Sequence, residues 1–78
     1  MQYDFIEHAK RIEEALKFSG SRATAESFED ARLGGATSGE ILMGLRHECR
    51  LAQSDPAIPE VVKTDMLALI RAVDETGI

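Results

Sequence analysis

Apolar residues recur at intervals of three and four in four separate segments of this chain, and glycine, serine and proline punctuate the gaps between them. That period puts apolar side chains on one face of a helix. It does not match the two-residue alternation of a half-buried strand. Strand signals are absent, so the expected class is all-α. The connections are short, which makes neighbouring helices antiparallel. The expectation is a compact bundle of four short helices over about 3–19, 25–33, 38–53 and 59–76, forming a single domain, 1–78.

In the first segment Phe5, Ala9, Ile12 and Leu16 form the stripe, with Ile6 beside it and Glu7, Lys10, Arg11 and Glu14 opposite. Asp4 and Glu7 fall in the first turn, where the helix dipole favours acids. Gly20 is a natural stop, because glycine enters the left-handed region without steric cost. The second segment is anchored by Phe28, flanked by Ala25, Ala31 and Leu33, with Thr24 as expected N-cap and Gly34-Gly35 as its end. The third opens on a capping box, Thr37-Ser38-Gly39-Glu40, and turns Ile41, Leu42, Leu45, Cys49 and Ala52 inward. Gly44 inside it costs about 1 kcal/mol against alanine. The fourth takes Pro59 as its first helical residue, where a missing N–H is not needed. Val62, Met66, Leu69, Ile70 and Val73 form its inner face and Gly77 ends it; Phe5 and Phe28 are the bulkiest expected core residues.

With 78 residues, such a chain buries only about 60% of the surface it exposes when unfolded. It has no room for a second domain or a large cofactor crevice. A hydrophobic fraction of 44% and a charged fraction of 29% are those of a globular protein, not of a disordered one. Nine Lys and Arg face fourteen Asp and Glu, for a net charge of −5. That balance disfavours non-specific binding to nucleic acid and anionic membranes, and favours a basic partner. A lone cysteine, Cys49, forms no internal disulfide, which points to the cytoplasm. Met1 to Phe5 lacks the basic and apolar regions of a signal peptide, and the longest apolar run, Met66 to Ile70, is far below the roughly 20 residues of a membrane span.

No catalytic or metal-binding constellation emerges. His47 and Cys49, two residues apart, point about 200° apart around a helix and do not share a metal, and His8 is isolated. The same divergence removes a Cys-His dyad. Glu13-Glu14 and Glu29-Asp30 are consecutive, so each pair splays apart on a helix. The stretch Gly34-Gly35-Ala36-Thr37-Ser38-Gly39 opens a helix but is followed by Glu40, where a phosphate loop requires lysine. The expectation is a protein that is not an enzyme and uses no cofactor or metal.

Binding surfaces are easier to place. Glu26, Glu29 and Asp30 form the densest acidic group, on a short peripheral helix, and Glu13 and Glu14 extend it. These five are the expected contacts for a basic protein. The alternative is a helix-turn-helix DNA-binding regulator or accessory factor, with Arg46, His47 and Arg50 on the outer face of the third helix reaching phosphate or guanine. That fit breaks at Gly34 and Gly44. Met43 and Leu67 fall on polar faces of their helices and are the candidate contacts of a homodimer.

The second half also resembles a known layout. Gly39-Glu40 opens a helix containing Leu45 and Cys49; a spacer leads to Ile58-Pro59-Glu60 and an amphipathic helix closing in Gly77-Ile78. Over residues 39–78 this resembles the small acidic all-helical immunity proteins of bacterial toxin systems, in particular the Maf-type group. The resemblance implies a stoichiometric inhibitor that binds a cognate toxin domain, often a basic nuclease. It transfers no binding residue, because the matching positions are structural.

Overall fold

A computed structural model describes residues 3–77; Met1, Gln2 and Ile78, the last of which closes the resemblance above, lie outside the described residues. Four helices follow one another: α1 (Phe5–Phe18), α2 (Arg22–Gly34), α3 (Ser38–Ala52) and α4 (Glu60–Asp74). Each packs on the next and α1 closes the ring against α4, so the all-α four-helix bundle is the fold. The core holds Ala9, Ile12 and Leu16 of α1, Ala25 and Phe28 of α2, Leu45, Cys49 and Ala52 of α3, and Val62, Met66, Leu69 and Val73 of α4. Ile58, in the α3–α4 connection, joins them. Full burial of each large side chain among these stabilises the fold by about 1.5–3 kcal/mol.

The helix ends follow from local chemistry. Asp4 caps α1, its side chain accepting from the Glu7 N–H at 3.0 Å, instead of lying in the first turn. At the far end Gly20 takes a left-handed conformation (φ 87°), and the N–H groups of Gly20 and Ser21 return to the carbonyls of Lys17 and Leu16. These two bonds satisfy carbonyls that would otherwise be orphaned. The same reversal lets α2 begin at once. It starts at Arg22, three residues before the expected Ala25, with Ser21 and not Thr24 at the N-cap. Thr37 caps α3 as expected, accepting from the Glu40 N–H at 3.2 Å. Pro59 is the cap of α4, not its first helical residue: its backbone is extended and its carbonyl accepts from Val62 and Lys63.

Several apolar residues depart from the expected core: Leu33 leaves it, and Phe5, Ala31, Ile41, Leu42 and Ile70 are only partly buried against it. Leu33 is 67% exposed. It follows Phe28 by five residues, which rotates it about 140° from that anchor. Phe5 is partly buried at the edge of the core and is met by the ring of Tyr3. Between α2 and α3 the backbones approach closely. A Cβ on Gly44 would stand 3.4 Å from that of Ala31, while one on Gly35 would come within 2.6 Å of the Ile41 side chain. Among the described residues no helix is long and apolar enough to cross a membrane.

Candidate functional site

The outer face of α2 carries the acidic group. Glu26 and Asp30 are exposed and lie one turn apart, Glu29 is half-exposed beside them, and Leu33 stands free one turn beyond Glu29 and Asp30. The helix contains two cations. Arg22 sits at its first residue. Arg32 is turned inward: its Nε donates to Glu13 Oε2 at 2.7 Å and its Nη2 to Oε1 at 3.1 Å. The Glu13 hydrogen bond holds the Arg32 proton more tightly than usual, against the opposing cost of burial. Glu29 is only loosely associated with the same guanidinium, at 3.9 Å.

That pairing corrects the expected site. Glu13 is buried in the α1–α2 interface and is not a surface acid. Its role is structural: it anchors the part-buried Arg32 guanidinium across the α1–α2 interface. Glu14 is exposed but stands between Lys10 and Lys17, one turn away on either side of α1. Of the five expected acidic contacts, the three on α2, Glu26, Glu29 and Asp30, stay grouped at the surface beside an apolar residue. Sequence reasoning placed Leu33 among the core residues and missed it here. Its angle from Phe28 was the available signal.

The alternative nucleic-acid residues are arranged differently from the expectation. Arg46 is not on the open outer face; its side chain is 17% exposed, with Nη1 on Asp74 Oδ1 at 2.7 Å. Arg50 is exposed and lies 3.8 Å from the same carboxylate oxygen. His47 is exposed. Met43 and Leu67 are both exposed, and helical spacing puts them on the α3–α4 side, on either side of the Arg46–Asp74 pair.

His8 is not isolated. It is buried on α1 with Nε2 2.7 Å from Asp65 Oδ1 of α4, and the edge of Tyr3 meets its ring. A carboxylate accepts, so Nε2 donates to it, and Nδ1 is a buried nitrogen without a hydrogen-bond partner among the described residues. Cys49 is buried, and its thiol is pushed up to about 12, first by burial and then by the charges of Asp65 and Glu48. A thiol held neutral is a poor nucleophile. No group of three metal-ligating side chains occurs among the described residues.

No protein-family model matches the chain, and neither the curated proteins nor the solved structures contain a match to it.

Proposed function

We propose that this chain is a small protein-binding module that acts as a stoichiometric inhibitor, an immunity protein neutralising a cognate bacterial toxin with a basic surface. The observation that carries this reading is the outer face of α2: Glu26, Glu29 and Asp30 lie around an exposed Leu33 while Arg32 is withdrawn onto Glu13. Carboxylates around an apolar anchor suit a basic partner. The charges speed and orient the encounter, and the leucine supplies area to bury. The helical form of this face supports the same reading, because a face already folded loses less entropy on binding than an unfolded segment does. The net charge of −5 adds attraction at long range.

The nucleic-acid reading has weaker support. Arg46 is committed to Asp74, and Arg50 shares that carboxylate.

The test is affinity capture from the native lysate with the tagged protein and with a variant carrying Glu26→Lys, Glu29→Lys and Asp30→Lys. The expected result is one basic protein, kept after nuclease treatment, absent with the variant and inactivated by the wild type at one-to-one stoichiometry. Equal retention by the variant would remove the α2 face from the reading. Material that disappears on nuclease treatment would transfer the weight to Arg50 and His47.

A further inference from the structure

Contacts between α2 and α3 step in opposite directions along the two helices, Gly35 meeting Ile41 and Ala31 meeting Gly44. Four residues further along this antiparallel pair, Ser27 stands level with Glu48; beyond them Thr24 faces Leu51 and Ala23 faces Ala52. The opposed alanines leave side-chain volume unfilled. A pocket of about 220 Å3 results, closed at its far end by Asp55. That is below the range of about 300–1,000 Å3 taken by small-molecule sites, and it suits one side chain of another protein. Thr24 and Ser27 bring hydroxyls to its walls, Glu48 and Asp55 carboxylates. Glu48 is half-buried and makes no hydrogen bond or ion pair among the described residues, and the hydroxyls of Thr24 and Ser27 make none either. Asp55 commits Oδ1 to the Ala57 N–H at 2.9 Å and keeps its other oxygen.

The chain's own cations turn away from this pocket. Arg50 leaves α3 about 200° round from Glu48, on the side of Asp74, and Arg22 leaves α2 about 140° round from Ser27. The pocket is therefore a set of acceptors without a donor. Ser27 lies about 60° from Asp30 and about 100° from Glu26, so the pocket borders the acidic face of α2. Resting on the inhibitor reading above, the geometry points to this pocket as the seat of one arginine side chain of the basic partner, with Glu48 as the carboxylate that holds the guanidinium. A carboxylate and a guanidinium match as a two-bond fork, and the remaining N–H groups of the fork reach the hydroxyls of Ser27 and Thr24. Leu51, 57% exposed, lies along the methylene stem. Asp55, Glu26 and Asp30 add to the negative field that draws the cation in. Lysine would bring a compact ammonium that pairs with one wall and leaves the other unmet.

The probe is N-acetyl-arginine amide, titrated to about 100 mM against the full chain at constant ionic strength and followed by amide NMR shifts. Saturable shifts are expected at Thr24, Ser27, Glu48 and Leu51, with a Kd of about 1–10 mM. Glu48→Gln keeps the size of the side chain, removes its charge and is expected to weaken binding at least about tenfold. Glu14→Gln removes the same charge from the exposed surface of α1 and leaves binding unchanged. Ser27→Leu, at an exposed position, fills the mouth of the pocket and gives the same loss by a second route. Shifts that do not saturate, that centre on another surface, or that persist in Glu48→Gln overturn the inference. Equal binding of N-acetyl-lysine amide overturns the choice of arginine. Affinity capture separates this inference from the proposed function. A basic partner retained equally by the wild type and Glu48→Gln, with no binding of the probe, removes the pocket and leaves the inhibitor reading. Probe binding with no basic partner captured removes the inhibitor reading and leaves the pocket.

Discussion

Cys49 is held as a neutral thiol by its surroundings, and this makes the fold sensitive to alkali. Burial, then Asp65 and Glu48, raise its pKa from 9.0 to about 12. Between those values the unfolded chain has lost a proton that the folded chain keeps. The contribution to stability is therefore complete below about pH 9 and declines as pH rises toward 12. Urea unfolding of the wild type and of Cys49→Ala at about pH 8 and about pH 10.5 measures it. The advantage of the wild type is expected to narrow at the higher pH, and a gap that stays constant would show that the thiol does not titrate with unfolding. The inward position of Cys49 was legible, because it follows Leu45 by one turn on an unbroken apolar stripe. The positions of Glu13 and His8 were not. Both border the stripe of α1, and the groups that satisfy them, Arg32 and Asp65, lie 19 and 57 residues away in sequence. Spacing along one helix carries no information about a side chain supplied by another. The α2 acids of the candidate site could be read because their grouping is local; the withdrawal of Arg32 that leaves them dominant could not.

At the level of helices, caps and stops were the most readable features. Gly20 and Thr37 each have one strongly favoured use, and the structure employs both in that way. The start of α2 was misread because two polar residues, Ser21 and Thr24, are competent caps, and the tight closure of α1 selects the first. The two glycines near the α2–α3 junction look alike in sequence and differ in space. At Gly44 an added methyl group would sit 3.4 Å from Ala31 Cβ, close to ordinary contact. Gly44→Ala is therefore expected to stabilise the protein by up to about 1 kcal/mol, through helix propensity. At Gly35 the added atom would fall 2.6 Å from Ile41 Cγ1 and 2.9 Å from its backbone nitrogen, which is fixed in the first turn of α3. Gly35→Ala is expected to destabilise by about 1–3 kcal/mol. Thermal and urea unfolding of the two variants compare them directly. Destabilisation by Gly44→Ala would mean that α2 and α3 have no slack at their crossing.

Across the whole molecule the same charges act on folding and on binding with opposite sign. Nine cations against fourteen acids leave a net repulsion within the compact state. The ion pairs that offset it differ in burial: Glu13–Arg32 has a buried carboxylate, while Arg46–Asp74 has a half-exposed one. Salt screens exposed charges over about 10 Å at 0.1 M and reaches the part-buried pair less. Raising sodium chloride from about 10 mM to about 0.5 M is therefore expected to raise the melting temperature by a few degrees, because the general repulsion is screened while Glu13–Arg32 persists. Under the proposed function the same change slows association with the basic partner by about tenfold or more, because attraction to Glu26, Glu29 and Asp30 is screened as well. Differential scanning calorimetry and stopped-flow association separate the two effects. A melting temperature that falls with salt would mean that surface pairs such as Arg46–Asp74 outweigh the repulsion. An association rate indifferent to salt would mean that the acidic face does not steer the encounter, leaving Leu33 and shape to account for recognition.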